Sequence, residues 1–284
     1  MKIGRYGGHT TSLIGEPPNH PHFNKLKATS PMHSRRHTTK LVSLLTILCG
    51  LCSGPLTSTA LAQTKPAPPW VSLFDGKDLK GWTLKGSNGK AWVQDGEIMC
   101  HQTLNTPEHT FVCTEAKFGD FILEVDCKID GSFNSGILFR AVDVPDSVKP
   151  PKARLNGYQV KIDPTPRKWT GGILEDFGGP DWHWYYNLAS DARARESFKI
   201  GAWNTFRVEA IGNSVKVWVN GIPTVNMTND KYSQGYIALK IHALAPDAKP
   251  EQEKVLAHFK NIRIITQNPA SYAQSTDLPP KAVQ

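Results

Sequence analysis

From residue 121 to 129 the odd positions Phe121, Leu123, Val125, Cys127 and Ile129 are apolar, while Glu124, Asp126 and Lys128 fall between them. This is the period of two expected of a strand buried on one face. Ile122 is the exception. A run of turn formers follows, Asp130, Gly131, Ser132, Asn134, Ser135 and Gly136, in which glycines accept positive backbone angles and Asn and Ser bond locally to the main chain. Residues 137–140 open the next strand, where the period of two puts Arg140 on the face of Leu138. Further strands are expected at 111–114, 158–163, 205–211, 215–219, 236–242 and 256–265, with a hairpin around Asp95-Gly96 through Met99. Gly212-Asn213 joins two strands tightly, and Asn220-Gly221 supplies the next turn, of the kind that matches strand twist. Many short strands with Gly and Asn turns predict an all-β sandwich rather than alternating βαβ units. Residues 191–197 (DARARES) read as a short helix or a charged loop.

The ends differ in composition from this body. Arg35, Arg36 and Lys40 precede an apolar run at 41–51, and Ala60-Leu61-Ala62 is a small-residue cleavage site, so residues 1–62 read as a leader with an export signal and a mature start near Gln63. The run is far short of the roughly 20 residues that cross a bilayer; the expected location is periplasmic or extracellular, with no stable membrane span. Residues 63–69 have linker composition, 70–266 form the domain and 267–284 a polar tail.

The formal charge of +8 belongs mostly to the leader, because residues 63–284 hold 26 basic and 24 acidic side chains. A near-neutral domain with no matching motif lacks the basic footprint of nucleic-acid binding. Export leaves Cys100, Cys113 and Cys127 in a compartment that permits disulfides. A Cys100–Cys113 bridge is one reading, small buried hydrophobes the other.

Three strands alternate polar with apolar positions. Gln159, Lys161 and Asp163 interleave with Tyr158, Val160 and Ile162, Lys240 and His242 with Leu239 and Ile241, and Arg140 closes a third. Such a face is either a solvated outer surface or the floor of a cleft. Residues 169–187 hold Trp169, Trp182, Trp184, Tyr185 and Tyr186 with Glu175, Asp176 and Asp181. Those rings could form a wall on which sugars stack, or fold back over a sheet edge. Five of the ten histidines lie in the leader and the rest are scattered without metal-ligand spacing. No Asp/Asn-rich loop argues for calcium, no nucleotide or serine-hydrolase signature occurs, and no cofactor is implied.

Taken in order, LFDGKDLKGW, FGDFILEVDCKI, NSGILFR, NGYQVKID, TGGI, AWNTFRVEAIGNSVKVWVNG, GYIALKIH and FKNIRI resemble the 3-keto-disaccharide hydrolase domain family over about residues 70–266. The resemblance implies a concanavalin A-like jelly-roll sandwich whose polar face binds a sugar oxidised at its third hydroxyl. His242 and Asp163 match the family pattern. Gln159 and Lys161 stand where Glu and then Gln are common, and Lys240 where Gln is common. The expected activity is cleavage of 3-keto-glycosides or 3-keto-disaccharides by hydrolysis or elimination; the alternative is a carbohydrate-binding module without turnover. His242, Asp163 and Arg140 are the expected catalytic residues, and Asn134, Gln159, Lys161, Glu175, Trp182, Trp184 and Lys240 the expected substrate-binding ones.

Overall fold

The computed structural model describes residues 67–106, 108–145, 155–175 and 183–284; the leader expectation lies outside them. In chain order come β1 (Val71–Ser72), β2 (Trp82–Gly86), β3 (Lys90–Gln94), β4 (Glu97–His101), β5 (Thr110–Phe118), β6 (Phe121–Ile129), β7 (Ser135–Asp143) and β8 (Leu155–Ile162). Then follow β9 (Ile173–Glu175), β10 (His183–Tyr186), the single turn α1 (Ala192–Arg195), β11 (Asn204–Ile211), β12 (Ser214–Val219), β13 (Ile222–Thr228), β14 (Gly235–Ile241), β15 (Leu256–Ile265) and β16 (Lys281–Ala282). Asp191 caps α1, its carboxylate accepting from the Ala194 N–H at 2.9 Å. No helix among the described residues is long and apolar enough to cross a membrane.

The strands make two sheets, so the all-β jelly-roll sandwich is the fold. One sheet runs β16-β13-β12-β11-β6-β15-β4-β3, with β1 also on β15; the other runs β10-β9-β8-β7-β14-β5-β2. Every pairing is antiparallel except β13 with β16. The alternating segment at 121–129 is β6, and its turn crosses to β7 in the other sheet, with Phe133 buried as the anchor. Leu123, Val125, Cys127 and Ile129 meet Ile137, Phe139, Tyr158, Val160, Ile162 and Leu239 in one core. Each such side chain contributes about 1.5–3 kcal/mol when fully buried. The two-residue turn at Gly212-Asn213 joins β11 to β12, and Asn220 and Gly221 both take positive φ, 52° and 77°, as a twist-matched hairpin turn requires.

One expectation needs correction. Arg140 does not share a face with Leu138, because it is the extra residue of a bulge: its φ is 49° and the β7–β8 register shifts between Phe139 and Val142. Its buried guanidinium turns instead to the β5–β6 and β11–β12 turns and the β13–β14 loop. Nε donates to Gly119 O at 3.0 Å, Nη1 to Gly212 O and Tyr232 O at 2.8 and 3.1 Å, and Nη2 to Asp120 Oδ1 at 3.0 Å. Cys100 and Cys113 lie in different sheets, and all three thiols are free and buried. The polar tail after Gln267 lies against the nine-stranded sheet, where Asn226 and Asn229 donate to Leu278 O and Val283 O at 2.6 and 2.9 Å and β16 pairs with β13.

Candidate functional site

Register decides which polar residues meet. Gly136 on β7 pairs with Lys161 on β8 and with Lys240 on β14. At strand spacings of about 4.8 Å the two lysines flank the glycine on one outward face, with Cα atoms roughly 10 Å apart. One position toward the strand ends, Ser135 pairs with Ile162 and Ile241, so Asp163 and His242 follow at the same end of the sheet. Asn134 is there too, accepting a hydrogen bond from Lys161 Nζ. In the other direction Leu138 pairs with Gln159 and Ala238. Gln159 leans over Gly136: a Cβ at position 136 would lie 2.6 Å from its Nε2. Both amide atoms of Gln159 are buried without a hydrogen-bond partner among the described residues, the expected state of a group that awaits a ligand.

Burial makes this row electrostatically unusual. Lys161 is 2 % exposed and Lys240 0 %. Burial, with Arg167 adding to it and Asp163 opposing, brings the Lys161 ammonium down to about 8. Burial and then the Lys161 charge push Lys240 well below the ordinary lysine value. His242 is held well below its usual value by burial and by both lysines, and His109 is lowered for the same reasons. The two rings stand 4.3 Å apart between centroids. His242 Nδ1 lies 2.6 Å from Ala243 O, while the Ala243 N–H donates to His109 Nδ1 at 2.9 Å. The first contact places the His242 proton on Nδ1 and leaves a lone pair on Nε2.

Asp163 is close by but already engaged. Burial alone would raise its pKa, yet the Arg167 N–H at 2.8 Å and the Thr165 N–H at 3.1 Å hold the carboxylate below its ordinary range. Arg167 in turn lies over the rings of Trp169 and Trp184, at 4.7 and 5.4 Å, and those rings meet edge to face at 5.0 Å. Trp184 sits against Gly172, where a Cβ would come within 3.1 Å of its ring, and Gly172 O accepts from the Lys161 N–H. The aromatic wall therefore borders the lysine row, with two rings among the described residues. Tyr185 turns into the core, and Trp182 lies outside the described residues.

Two expected site residues are elsewhere. Arg140 is near the far end of β7, where Ala141 pairs with Tyr236 while Ser135 pairs with Ile241, roughly 15 Å or more from His242 at about 3.4 Å per residue. Glu175 faces inward, bonded to Tyr185 Oη at 2.8 Å, Lys231 Nζ at 2.7 Å, Asn156 Nδ2 at 3.2 Å and Tyr232 Oη. His109, Arg167 and Gly136 were not expected and belong to the site. His109 was hidden because its neighbour Thr110 meets Ile241 only through the β5–β14 register.

Among solved structures the chain is similar to the carbohydrate-binding module CBM66 of Bacillus subtilis (16% identity, 64% of this chain and 93% of that one, TM-score 0.45). It is also similar to a Bacillus subtilis protein with a galectin-like fold (14%, 66% and 90%, 0.47). A third is the κ-carrageenase of Pseudoalteromonas carrageenovora in complex with an oligotetrasaccharide (12%, 73% and 98%, 0.44). No curated protein matches. Residues 69–265 match the family described as the 3-keto-alpha-glucoside-1,2-lyase-like domain, and the chain belongs to that family.

Proposed function

We propose that the protein is an exported enzyme that cleaves the glycosidic bond of 3-keto-glycosides or 3-keto-disaccharides on the outward face of the seven-stranded sheet. The observation that carries this reading is His242 set beside two buried lysines with its Nδ1 on Ala243 O, a placement in which burial and both lysines hold the ring well below its usual pKa and Nε2 is left to act as a base. A ketone at C3 acidifies the C2 proton, so one base can remove it and the C1 substituent departs by elimination; water then adds to the enone. A carboxylate pair is not required. His242 is the base, and the positive charge of Lys161 favours the oxygen that becomes negative as the proton leaves. Asp163 positions the wall through Arg167. Trp169 and Trp184 offer ring faces to the sugar's C–H edges, and Gln159 supplies one donor and one acceptor to its hydroxyls.

The test is incubation of the purified protein with 3-keto-trehalose or methyl 3-keto-α-glucoside, with release of 3-keto-glucose or its unsaturated ketone as readout. Release supports the enzyme. The stacked tryptophans and the unpartnered Gln159 would serve a binding module equally well, so binding without release replaces the enzyme with that second reading.

A further inference from the structure

We propose that the outward face of the nine-stranded sheet carries a second ligand site, separate from the lysine row, where a cleft beside Trp70 binds a neutral oligosaccharide. A cavity of about 660 Å³ opens there, within the roughly 300–1,000 Å³ range of small-molecule sites. Its floor comes from three adjacent strands, with Thr205 on β11, Asp126 on β6, and Asn261 and Arg263 on β15; Trp70 and Asp75 stand at its rim. Register sets the floor. Thr205 is the cross-strand partner of Asp126 on one side, and on the other β15 shifts register between Lys260 and Arg263, with Asn261 at a φ of 51°. This bulge brings the Asn261 amide to Asp126, donating from Nδ2 to Oδ2 at 2.7 Å, while the Thr205 hydroxyl donates to Oδ1 at 2.6 Å. An ionised carboxylate offers about four acceptor positions, so neutral donors fix Asp126 in place and leave it acceptor capacity for a ligand.

The charges around the cleft favour an uncharged ligand rich in hydroxyls. Glu124 and Arg263 both line it and pair with each other at 2.6 Å, which leaves the carboxylates of Asp75 and Asp126 as its net charge. Those carboxylates repel an anion, whereas sugar hydroxyls donate to them in charge-assisted hydrogen bonds. Trp70 supplies a flat apolar surface for the C–H edges of a sugar ring. The ring is half-buried and braced by two guanidinium groups, with Arg263 Cζ 4.5 Å and Arg207 Cζ 6.0 Å from its centroid, so little ordering remains to be paid when a ligand arrives. Trp70, Glu124 and Arg263 also line a second cavity of about 410 Å³. One tryptophan serving two spaces suits a chain of sugars better than a single ring.

This site does not depend on the 3-keto-sugar reading, and its test uses sugars that carry no ketone. The experiment is calorimetric titration of the purified full chain with maltohexaose, cellohexaose, laminarihexaose and mannohexaose. The expected result is saturable binding of at least one of them, weakened roughly tenfold in Trp70→Ala and about fivefold in Asn261→Gly, where glycine keeps the positive φ without strain. Trp70 is half-buried and Asn261 exposed, so both variants should keep the wild-type circular dichroism. Trp184→Ala, on the other sheet, should bind as wild type does. Binding that is unchanged in Trp70→Ala, or lost in Trp184→Ala instead, puts the sugar on the seven-stranded sheet and overturns the second site. Absence of binding to all four sugars overturns it too, and calcium binding abolished by Asp126→Ala, with no sugar bound, gives the cleft to a cation instead.

Discussion

Each sheet carries a row of three cross-strand neighbours on its outward face, and the two rows differ at the middle position. On the nine-stranded sheet Glu124 pairs with Arg207 on one side and Arg263 on the other. Its carboxylate lies 3.0 Å from Arg207 Nη1 and 2.6 Å from Arg263 Nη2. Arg207 is held further by Glu209 at 2.7 Å. On the seven-stranded sheet Gly136 occupies the equivalent place between Lys161 and Lys240. The first row is plus, minus, plus, and its charges are mutually satisfied. In the second, Gly136 puts no side chain between the two lysines, and the Gln159 amide, buried without a hydrogen-bond partner among the described residues, leans over it. The ion pairs of the first row stabilise each other, whereas burying two lysines side by side costs stability, and strongly shifted groups of that kind cluster at functional sites.

If that contrast is right, the largest effect on chemistry comes from His242. Replacing it with Ala should lower kcat for a 3-keto-glucoside by roughly 100- to 10,000-fold, the range of a lost general base, with little change in the unfolding midpoint. Unchanged turnover would remove His242 from the mechanism. On the other sheet Glu124→Gln should do the reverse. It breaks charge-assisted bonds to two arginines and costs about 2–3 kcal/mol, measured by urea unfolding, while kcat stays at the wild-type value. A loss of turnover in Glu124→Gln at unchanged stability would erase the distinction between the faces.

Lys161→Met tests the sign of the second row. Wild-type Lys161 releases its proton at about 8 in the folded chain against 10.5 as a free group, a penalty of about 3 kcal/mol. Because the folded form binds fewer protons between those values, wild-type stability should rise from pH about 8 to about 10.5. Lys161→Met should show a smaller rise, the remainder coming from Lys240, which burial also depresses, and should gain about 1–2 kcal/mol at pH 7, less than the full penalty because Asn134 loses its donor. The histidines act at the acid end. Both are depressed in the folded chain, so the unfolded chain binds more protons as pH falls below about 6.5 and stability declines there. A flat unfolding midpoint between pH 7 and 5.5 in wild type, against a falling one in His109→Gln, would contradict the buried placement of these rings.

Much of the fold was legible in the sequence, because period-two alternation and Gly or Asn turns act over a few residues. The segment at 121–129, the Gly212-Asn213 turn and the Asn220-Gly221 turn all follow that local logic. The site was only half legible. Lys161 and Lys240 were visible as polar residues on alternating strands, but so were Arg207 and Arg263, and nothing local separates the two sets. Their meaning depends on whether Glu or Gly stands between them, which is a matter of register across three strands far apart in sequence. Arg140 failed for a related reason: one residue in the left-handed conformation shifts the alternation, and a strand pattern gives no warning of it. Glu175 failed because a carboxylate facing two tyrosines and a lysine can be buried inward, against the usual rule for charge.

The smallest effect should come from the wall. Trp184 stacks edge to face on Trp169 and lies under Arg167, but it is half-buried at the side of the lysine row rather than within it. Trp184→Ala removes one ring face from the sugar and loosens Arg167, whose link to Asp163 persists through a separate hydrogen bond at 2.8 Å. A loss of about 1 kcal/mol in ground-state binding is expected for an aromatic contact of this kind, appearing as a roughly fivefold rise in KM with kcat nearly unchanged. A fall in kcat with KM constant would mean that the wall positions the reacting groups. Asp163→Asn should then reproduce it, because the same chain of contacts runs from the carboxylate through Arg167 to both rings.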